Sequence, residues 1–349
     1  MTYHLFYLAK PIYGGWVSFT AHLSLKHNLP VHKLGNRTES KGRDYGYGVQ
    51  YTNVAAGDLR DYGTHVITAI DKNFYDKLHY FPDGTFVVIH DPSEVTKKTS
   101  PELVKHLHRF RIITIRKSVQ TYLKSSLNLD SIFLLHPFYA YEYTKDAHPS
   151  RAVSISRIDF DKHIDIQLTA NKHLPARDAI TLYGAANLQY VFFKLQGLHF
   201  EKYYKGKFDK TFESLNDILK DAKYVVDMSV IKHDGGGTQY TFLEAIYQDC
   251  ALIINRRWVE GFATPFKDGE NCFVVGDGEE LAALLKRDPS VRAVNAAAKK
   301  ILAPHMKVDW VAAMDSYGGT TRRGRTAKSV RAAARRTRRR TAGLPTNFQ

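Results

Sequence analysis

Short apolar runs alternate along most of the chain with amphipathic stretches of helical period. Buried parallel strands joined by crossover helices give this pattern. Residues 3–9 read as a first buried strand, 11–16 as a loop carrying Gly14 and Gly15, and 17–26 as a helix. Residues 36–63, rich in Gly, Tyr, Arg and Asp, predict an exposed loop able to touch an acceptor. Strands follow at 64–70, 85–89, 111–115 and 131–135, with helices at 73–80, 101–110 and 116–126. After an irregular, Tyr- and Pro-containing crossover at 138–150 the alternation begins again. Strands are expected at 151–156, 179–183, 224–227, 251–254 and 272–275. Helices are expected at 164–173, 188–195, 212–220, 279–286, 291–302 and 308–317. The expectation is an α/β fold of two Rossmann-like, doubly wound domains, residues 1–145 and 146–317, followed by a tail at 318–349.

The stretch with the most chemistry is His233-Asp-Gly-Gly-Gly-Thr-Gln-Tyr-Thr-Phe-Leu-Glu-Ala-Ile246, directly after the apolar strand at 224–227. Gly235, Gly236 and Gly237 would let backbone N–H groups crowd against a ligand, and Thr238 would cap the following helix. A strand, a glycine loop and a helix N-terminus suit a diphosphate. Glu244, further into the helix, would then sit near a ribose. A plain glycine turn with an ordinary surface glutamate is the alternative. Arg157 and Lys162 leave one strand end together and could hold both phosphates of a nucleotide-sugar, or simply form a basic surface turn. The strand at 85–89 ends in His90-Asp91-Pro92, where a His-Asp pair could orient a hydroxyl or a leaving group. A solvated strand end with a turn at Asp-Pro is the other reading.

Composition adds a partner class. Of 349 residues 44% are apolar, enough for a sizeable core. Ten of the fifteen net positive charges lie between 318 and 349, where no acid occurs, leaving +5 on the rest. These ten are Arg322, Arg323, Arg325, Lys328, Arg331, Arg335, Arg336, Arg338, Arg339 and Arg340. Such a tail is expected to be disordered alone and to meet a polyanion, DNA first, with an import signal, an anionic-membrane tether or a solubilising role as rivals. Cys250 and Cys272 form neither a disulfide framework nor a metal site by their spacing. With no signal peptide and no run long enough to span a bilayer, a reducing, cytoplasmic setting is expected, with nuclear or nucleoid association through the tail.

The order Arg157-x4-Lys162, a strand ending at Gly184, Gly-Gly-Gly-Thr with Phe-Leu-Glu-Ala245, then Asp-Gly-Glu-Asn-x-Phe-Val-Val275 resembles the C-terminal half of retaining GT-B glycosyltransferases of the family-four type. The resemblance implies a nucleotide-sugar donor whose diphosphate meets Arg157 and Lys162 and whose ribose meets Glu244. It also implies no required metal, with loop cations and a helix end standing in for one. A glutamate common in that family eight residues before the ribose glutamate is Gly236 here, and Asp234 is the nearest acid. The Gly14-Gly15 loop and Val-Val-Ile-His90-Asp91 are similar, less fully, to phage DNA α-glucosyltransferases. That implies hydroxymethylated DNA as acceptor, with His90 and Asp91 near the reacting carbon. A surface polysaccharide, lipid or protein glycan as acceptor, or a non-catalytic nucleic-acid-binding protein on the same fold, are the alternatives.

Overall fold

The structure is a computed structural model that describes residues 2–9, 14–34, 43–44, 46–96 and 100–324. Its residues to 308 form one unit built on two sheets. The first sheet has eight strands in the order β3-β4-β2-β1-β5-β6-β7-β8. These are β1 (Tyr3–Leu8), β2 (Val31–Leu34), β3 (Arg43–Asp44), β4 (Gln50–Val54), β5 (Thr64–Ile70), β6 (Phe86–Ile89), β7 (Arg111–Thr114) and β8 (Ser131–Phe133). All neighbours are parallel except β3 and β4. Helices α1 (Gly15–His27), α2 (Ser93–Thr96), α3 (Ser100–Leu107) and α4 (Lys117–Leu127) complete this half. The apolar core under the sheet includes Phe6, Leu8, Ile67, Val87, Ile112 and Leu123.

The second sheet has five parallel strands in the order β10-β9-β11-β12-β13. They are β9 (Arg151–Ile155), β10 (Thr181–Tyr183), β11 (Ala222–Asp227), β12 (Ala251–Asn255) and β13 (Phe273–Val275). Its helices are α5 (Ile164–Lys172), α6 (Leu188–Lys194), α7 (Phe200–Tyr203), α8 (Phe212–Leu219), α9 (Tyr240–Tyr247), α10 (Arg256–Val259), α11 (Gly278–Arg287) and α12 (Arg292–Lys307). A second unit, from residue 309, contains α13 (Trp310–Gly324), whose start is capped by the Asp309 carboxylate accepting the Ala312 N–H at 3.0 Å. Both are α/β sheets, parallel apart from the β3–β4 pair, and in such sheets ligands bind at the carboxyl ends of the parallel strands. In the first sheet the winding reverses at β1, and α1 begins beside that switch point at Gly14-Gly15.

The stretch expected as an exposed loop at 36–63 is built differently where it is described. It contains β4 and a 3-10 turn at Ala56–Asp61, and Gly46, Tyr47 and Val49 are buried. Strand β4, Gln-Tyr-Thr-Asn-Val, is too polar to show a buried-strand run, because most of its side chains face solvent. Residues 72–80 form a 3-10 helix rather than an α-helix. Both cysteines are buried and free. No helix among the described residues is long and apolar enough to cross a membrane.

Candidate active site

Strand ends of the second sheet bring Lys162 and the loop after β11 together. Lys162 follows β9 and donates to Ser229 Oγ at 2.8 Å, with Gln239 Oε1 at 3.4 Å. Ser229 stands just past β11, and its N–H and hydroxyl both donate to the buried Asp227 carboxylate. An ammonium is therefore held, largely buried, at the mouth of α9, where the positive end of the helix faces the same space. Arg157 behaves otherwise. Its guanidinium donates to Asp159 at 2.8 Å and to Asp161 at 3.1 Å on its own loop. Lys162 is presented inward, while Arg157 must exchange those carboxylates to reach a phosphate.

Gly184 holds this corner closed. It has φ +147, and a Cβ there would lie 1.7 Å from the Ser156 carbonyl oxygen. Its N–H donates to Gly206 O at 2.9 Å and its carbonyl accepts the Tyr204 hydroxyl at 2.7 Å. Glycine at 184 thus lets the end of β10 press on the chain leaving β9, which sets the start of the 157–162 loop.

The three glycines do not act as a uniform row of ligand donors. A Cβ at Gly235 or Gly236 would strike Phe262 and the chain at Trp258 or Ala263, and the Gly236 N–H donates to Trp258 O at 2.6 Å. Those two residues are glycine because the 258–263 segment packs against them. Gly237 faces Arg116 and accepts from Trp258 Nε1 at 2.9 Å. Thr238 does not cap α9, since Gln239 is the N-cap. The Thr238 hydroxyl instead lies 3.3 Å from both His136 Nδ1 and His305 Nε2, drawn away by that buried pair. Asp234 is not open to a sugar in this arrangement. Its carboxylate pairs with Arg116 at 2.8 Å and accepts from Ser118 Oγ at 2.8 Å.

Glu244 lies inside, on the face of α9 that meets α1. It accepts the Tyr47 hydroxyl at 2.9 Å, and His22 Nε2 approaches to 3.7 Å. The Tyr139 N–H donates to His22 Nδ1 at 2.9 Å, which leaves the neutral imidazole's proton on Nε2, toward Glu244. Burial lowers the His22 pKa, and the Glu244 carboxylate offsets part of that effect. Tyr47 itself has φ 57, and its hydroxyl also meets Ser18 Oγ at 3.1 Å.

On the first sheet, His90 and Asp91 follow β6. His90 Nε2 donates to Thr68 O at 2.7 Å, so that nitrogen carries the proton. The ring packs against Phe19 with centroids 4.8 Å apart, and burial pushes its pKa down to about 4. Asp91 accepts the Ser93 N–H at 2.8 Å and so opens α2. Beneath them the buried Glu94 accepts from His90 N at 3.0 Å, Asp91 N at 3.2 Å and Trp16 Nε1 at 3.3 Å. Burial raises the Glu94 pKa well above the usual carboxyl range. Gly14, at φ 96, precedes the first turn of α1, which brings Gly15 and Trp16 to the same edge. Arg116 joins the two sides. It follows β7, donates from Nε to His90 O at 3.1 Å, pairs with Asp234, and lies over the Trp258 ring at 5.5 Å.

No protein-family profile matches the sequence, and no curated protein matches it. Solved structures do. HepE of Anabaena in complex with UDP-glucose superposes with a TM-score of 0.66 at 14% identity, covering 92% of this chain and 99% of that one. Sucrose-phosphate synthase from Thermosynechococcus elongatus gives 0.60 at 12% identity, covering 92% and 98%. An α-glucosyltransferase in complex with UDP and a 13-mer DNA containing an HMU base gives 0.64 at 13% identity, covering 87% and 95%. All are similar along nearly their whole length, through both sheets. The chain has the GT-B fold.

Within the GT-B frame, a His90–Arg116–Asp234 chain links the strand end after β6 to the loop after β11. Sequence reading did not single out Arg116, Glu94, His22 or Tyr47. Arg116 could have been found by position, since it directly follows an apolar strand at its carboxyl end. Of the expected nucleic-acid contacts, Arg322 and Arg323 fall on the α13 backbone, which extends past residue 317. Arg325, Lys328, Arg331, Arg335, Arg336, Arg338, Arg339 and Arg340 lie outside the described residues.

Two buried histidines make a pH prediction. Burial pushes both His90 and His305 down to about 4. Their folded pKa lies below the unfolded value near 6.5, so the unfolded chain takes up protons first as pH falls. Their contribution is complete above about pH 6.5, shrinks on acidification, and is gone below about pH 4, amounting to about 3 kcal/mol each. Urea midpoints should therefore drop between pH 7.5 and 5; equal midpoints would show that these rings protonate in place.

Proposed function

We propose that this chain is a glycosyltransferase that takes its sugar from a nucleotide donor, with UDP-sugars the first to test. The observation that carries the reading is Lys162, held by Ser229 beside the N-terminus of α9. An ammonium and a helix end facing one space complement a diphosphate leaving group, and both gain as its charge grows. Arg157 would join by releasing its aspartates. On this reading the ribose goes to Glu244, with a ribose hydroxyl replacing Tyr47 as donor to the carboxylate. HepE and the DNA-bound α-glucosyltransferase, each similar in fold, were solved with UDP-glucose or UDP.

Transfer is read as retaining. The acceptor oxygen attacks the anomeric carbon on the face the diphosphate leaves; the carbon–oxygen bond to phosphate breaks; and the departing phosphate oxygen takes the acceptor's proton. Neither a protein nucleophile nor a metal enters that scheme. His90, neutral and fixed through Nε2, and Asp91 would line the acceptor side. Hydroxymethylated duplex DNA is the preferred acceptor, supported by the ten cations at 322–340 and by the fold likeness to an enzyme solved on modified DNA. A glycan or lipid acceptor is the second reading, favoured by the exposed aromatic side chains of α6.

The test is calorimetry with UDP and UDP-sugars, followed by transfer with and without hydroxymethylated DNA. Lys162→Ala should weaken UDP binding by about 2–3 kcal/mol, roughly a hundredfold, with the fold intact. Unchanged affinity would remove Lys162 from the donor site and, with it, the basis for this reading.

A further inference from the structure

Glu244 is sealed. It is 6% exposed, and among the described residues Tyr47 and His22 are the side chains that meet its carboxylate. A ribose reaches that carboxylate only by displacing one of them. His22 is the fixed one. It is fully buried on α1, its ring is stacked on Phe138 at 4.7 Å and on Tyr240 at 4.8 Å, and its Nδ1 accepts the Tyr139 N–H. Tyr47 stands on a turn of another kind. Gly46, Tyr47 and Gly48 have φ 125, 57 and 75, three successive residues in left-handed backbone. A tyrosine is kept in that region by its contacts, against its own preference.

Those contacts come from distant parts of the chain. A Cβ at Gly46 would lie 3.0 Å from both Lys210 Cβ and Val17 Cγ1, so the turn fits there only as glycine. The Tyr47 N–H donates to Lys210 O, and the phenol ring packs on Phe212 with centroids 4.5 Å apart. Polar bonds then run one way through the turn. Lys210 Nζ donates to Ser18 Oγ at 3.3 Å, the Ser18 hydroxyl donates to Tyr47 at 3.1 Å, and Tyr47 donates to Glu244 at 2.9 Å. The phenol oxygen thus stands where a sugar hydroxyl could, giving a proton to the carboxylate and accepting one from Ser18. Gly48, at the outer end of the turn, is exposed, so the turn can lift toward solvent. We propose that Tyr47 is an internal occupant of the ribose seat, and that the turn at 46–49 leaves Glu244 whenever a nucleotide donor binds. The proposal rests on the nucleotide-donor reading and adds a cost to it: only the fraction of molecules with the turn lifted is competent to bind.

The test is calorimetry of UDP and of inorganic pyrophosphate on the full chain and two variants. Tyr47→Phe keeps the ring and removes both hydroxyl bonds, and should bind UDP about tenfold tighter. Gly48→Ala touches nothing within 4 Å and strains only the turn, and should bind UDP about fivefold tighter. Pyrophosphate, which has no ribose, should bind all three alike. In the unaltered chain, saturating UDP should strip the Tyr47 amide of its protection from hydrogen exchange. UDP binding that neither variant tightens, or a Tyr47 amide that stays protected, would overturn the proposal and leave the donor site standing. An equal gain with pyrophosphate would mean that the turn closes the phosphate site as well, and would overturn the assignment to the ribose. Absence of nucleotide binding in all three proteins would overturn the donor reading itself, and the proposal with it.

Discussion

Gly184→Ala is expected to cost about 4 kcal/mol, the sum of a forbidden backbone conformation and a clash that no rotamer relieves. At φ +147 an L side chain has no comfortable position, and its first carbon would lie 1.7 Å from the Ser156 carbonyl oxygen. That oxygen is backbone, so relief requires the ends of β9 and β10 to separate. Separation would break the Ser156 N–H to Tyr183 O bond of 3.1 Å and shift the loop bearing Lys162. The comparison is Gly261→Ala, at φ +78 with nothing within 4 Å, where only the left-handed conformation counts, at about 1 kcal/mol. Urea unfolding of both variants separates the two effects. Equal losses would mean that the β9–β10 corner yields easily and that Gly184 does not set the site.

The second large effect is expected at Arg116. Asp234 has a side chain 1% exposed, and Arg116 is the cation that neutralises it. Arg116→Met keeps the apolar stem but leaves a buried carboxylate unpaired, a loss of about 3–5 kcal/mol. The bond to His90 O and the contact over Trp258 go with it. Adding Asp234→Asn should restore more than half, because the neutral amide still accepts from Ser118 and carries no charge to compensate. A double variant no more stable than Arg116→Met would show that the arginine acts by packing alone. The same pair joins the two sheets. Asp234 lies in the loop after β11, and its pairing with Arg116 ties that loop to the carboxyl end of β7 in the other sheet.

The contrast between these residues shows what could be read in advance. Strands β1, β5, β6, β11 and β12 were legible because a parallel strand covered on both faces must be apolar throughout. The carboxyl ends of β1, β6, β9, β10 and β11 then gave the positions of Gly14, His90, Arg157, Lys162, Gly184 and Asp234 with no contact known. Strand β4 was not legible, because one exposed face gives it the composition of a loop. Thr238 was a reasonable cap by type, yet its hydroxyl is taken by His136 and His305. A pattern rule cannot weigh a local bond against two partners brought in from far along the chain.

By itself the sequence determined the α/β class, two successive runs of mostly parallel strands and the positions of their carboxyl ends. Periodicity and strand-end position are local properties, carried by neighbouring residues. Only the tertiary structure decided what each site residue faces. It placed Gly235 and Gly236 against Phe262 and the chain at Trp258, gave Glu244 to Tyr47 and His22, paired Asp234 with Arg116, and turned Lys162 toward α9 while leaving Arg157 on its own aspartates. Most of these partners are joined by packing between distant segments, and a polar side chain's role follows from which partner that packing brings within hydrogen-bond reach.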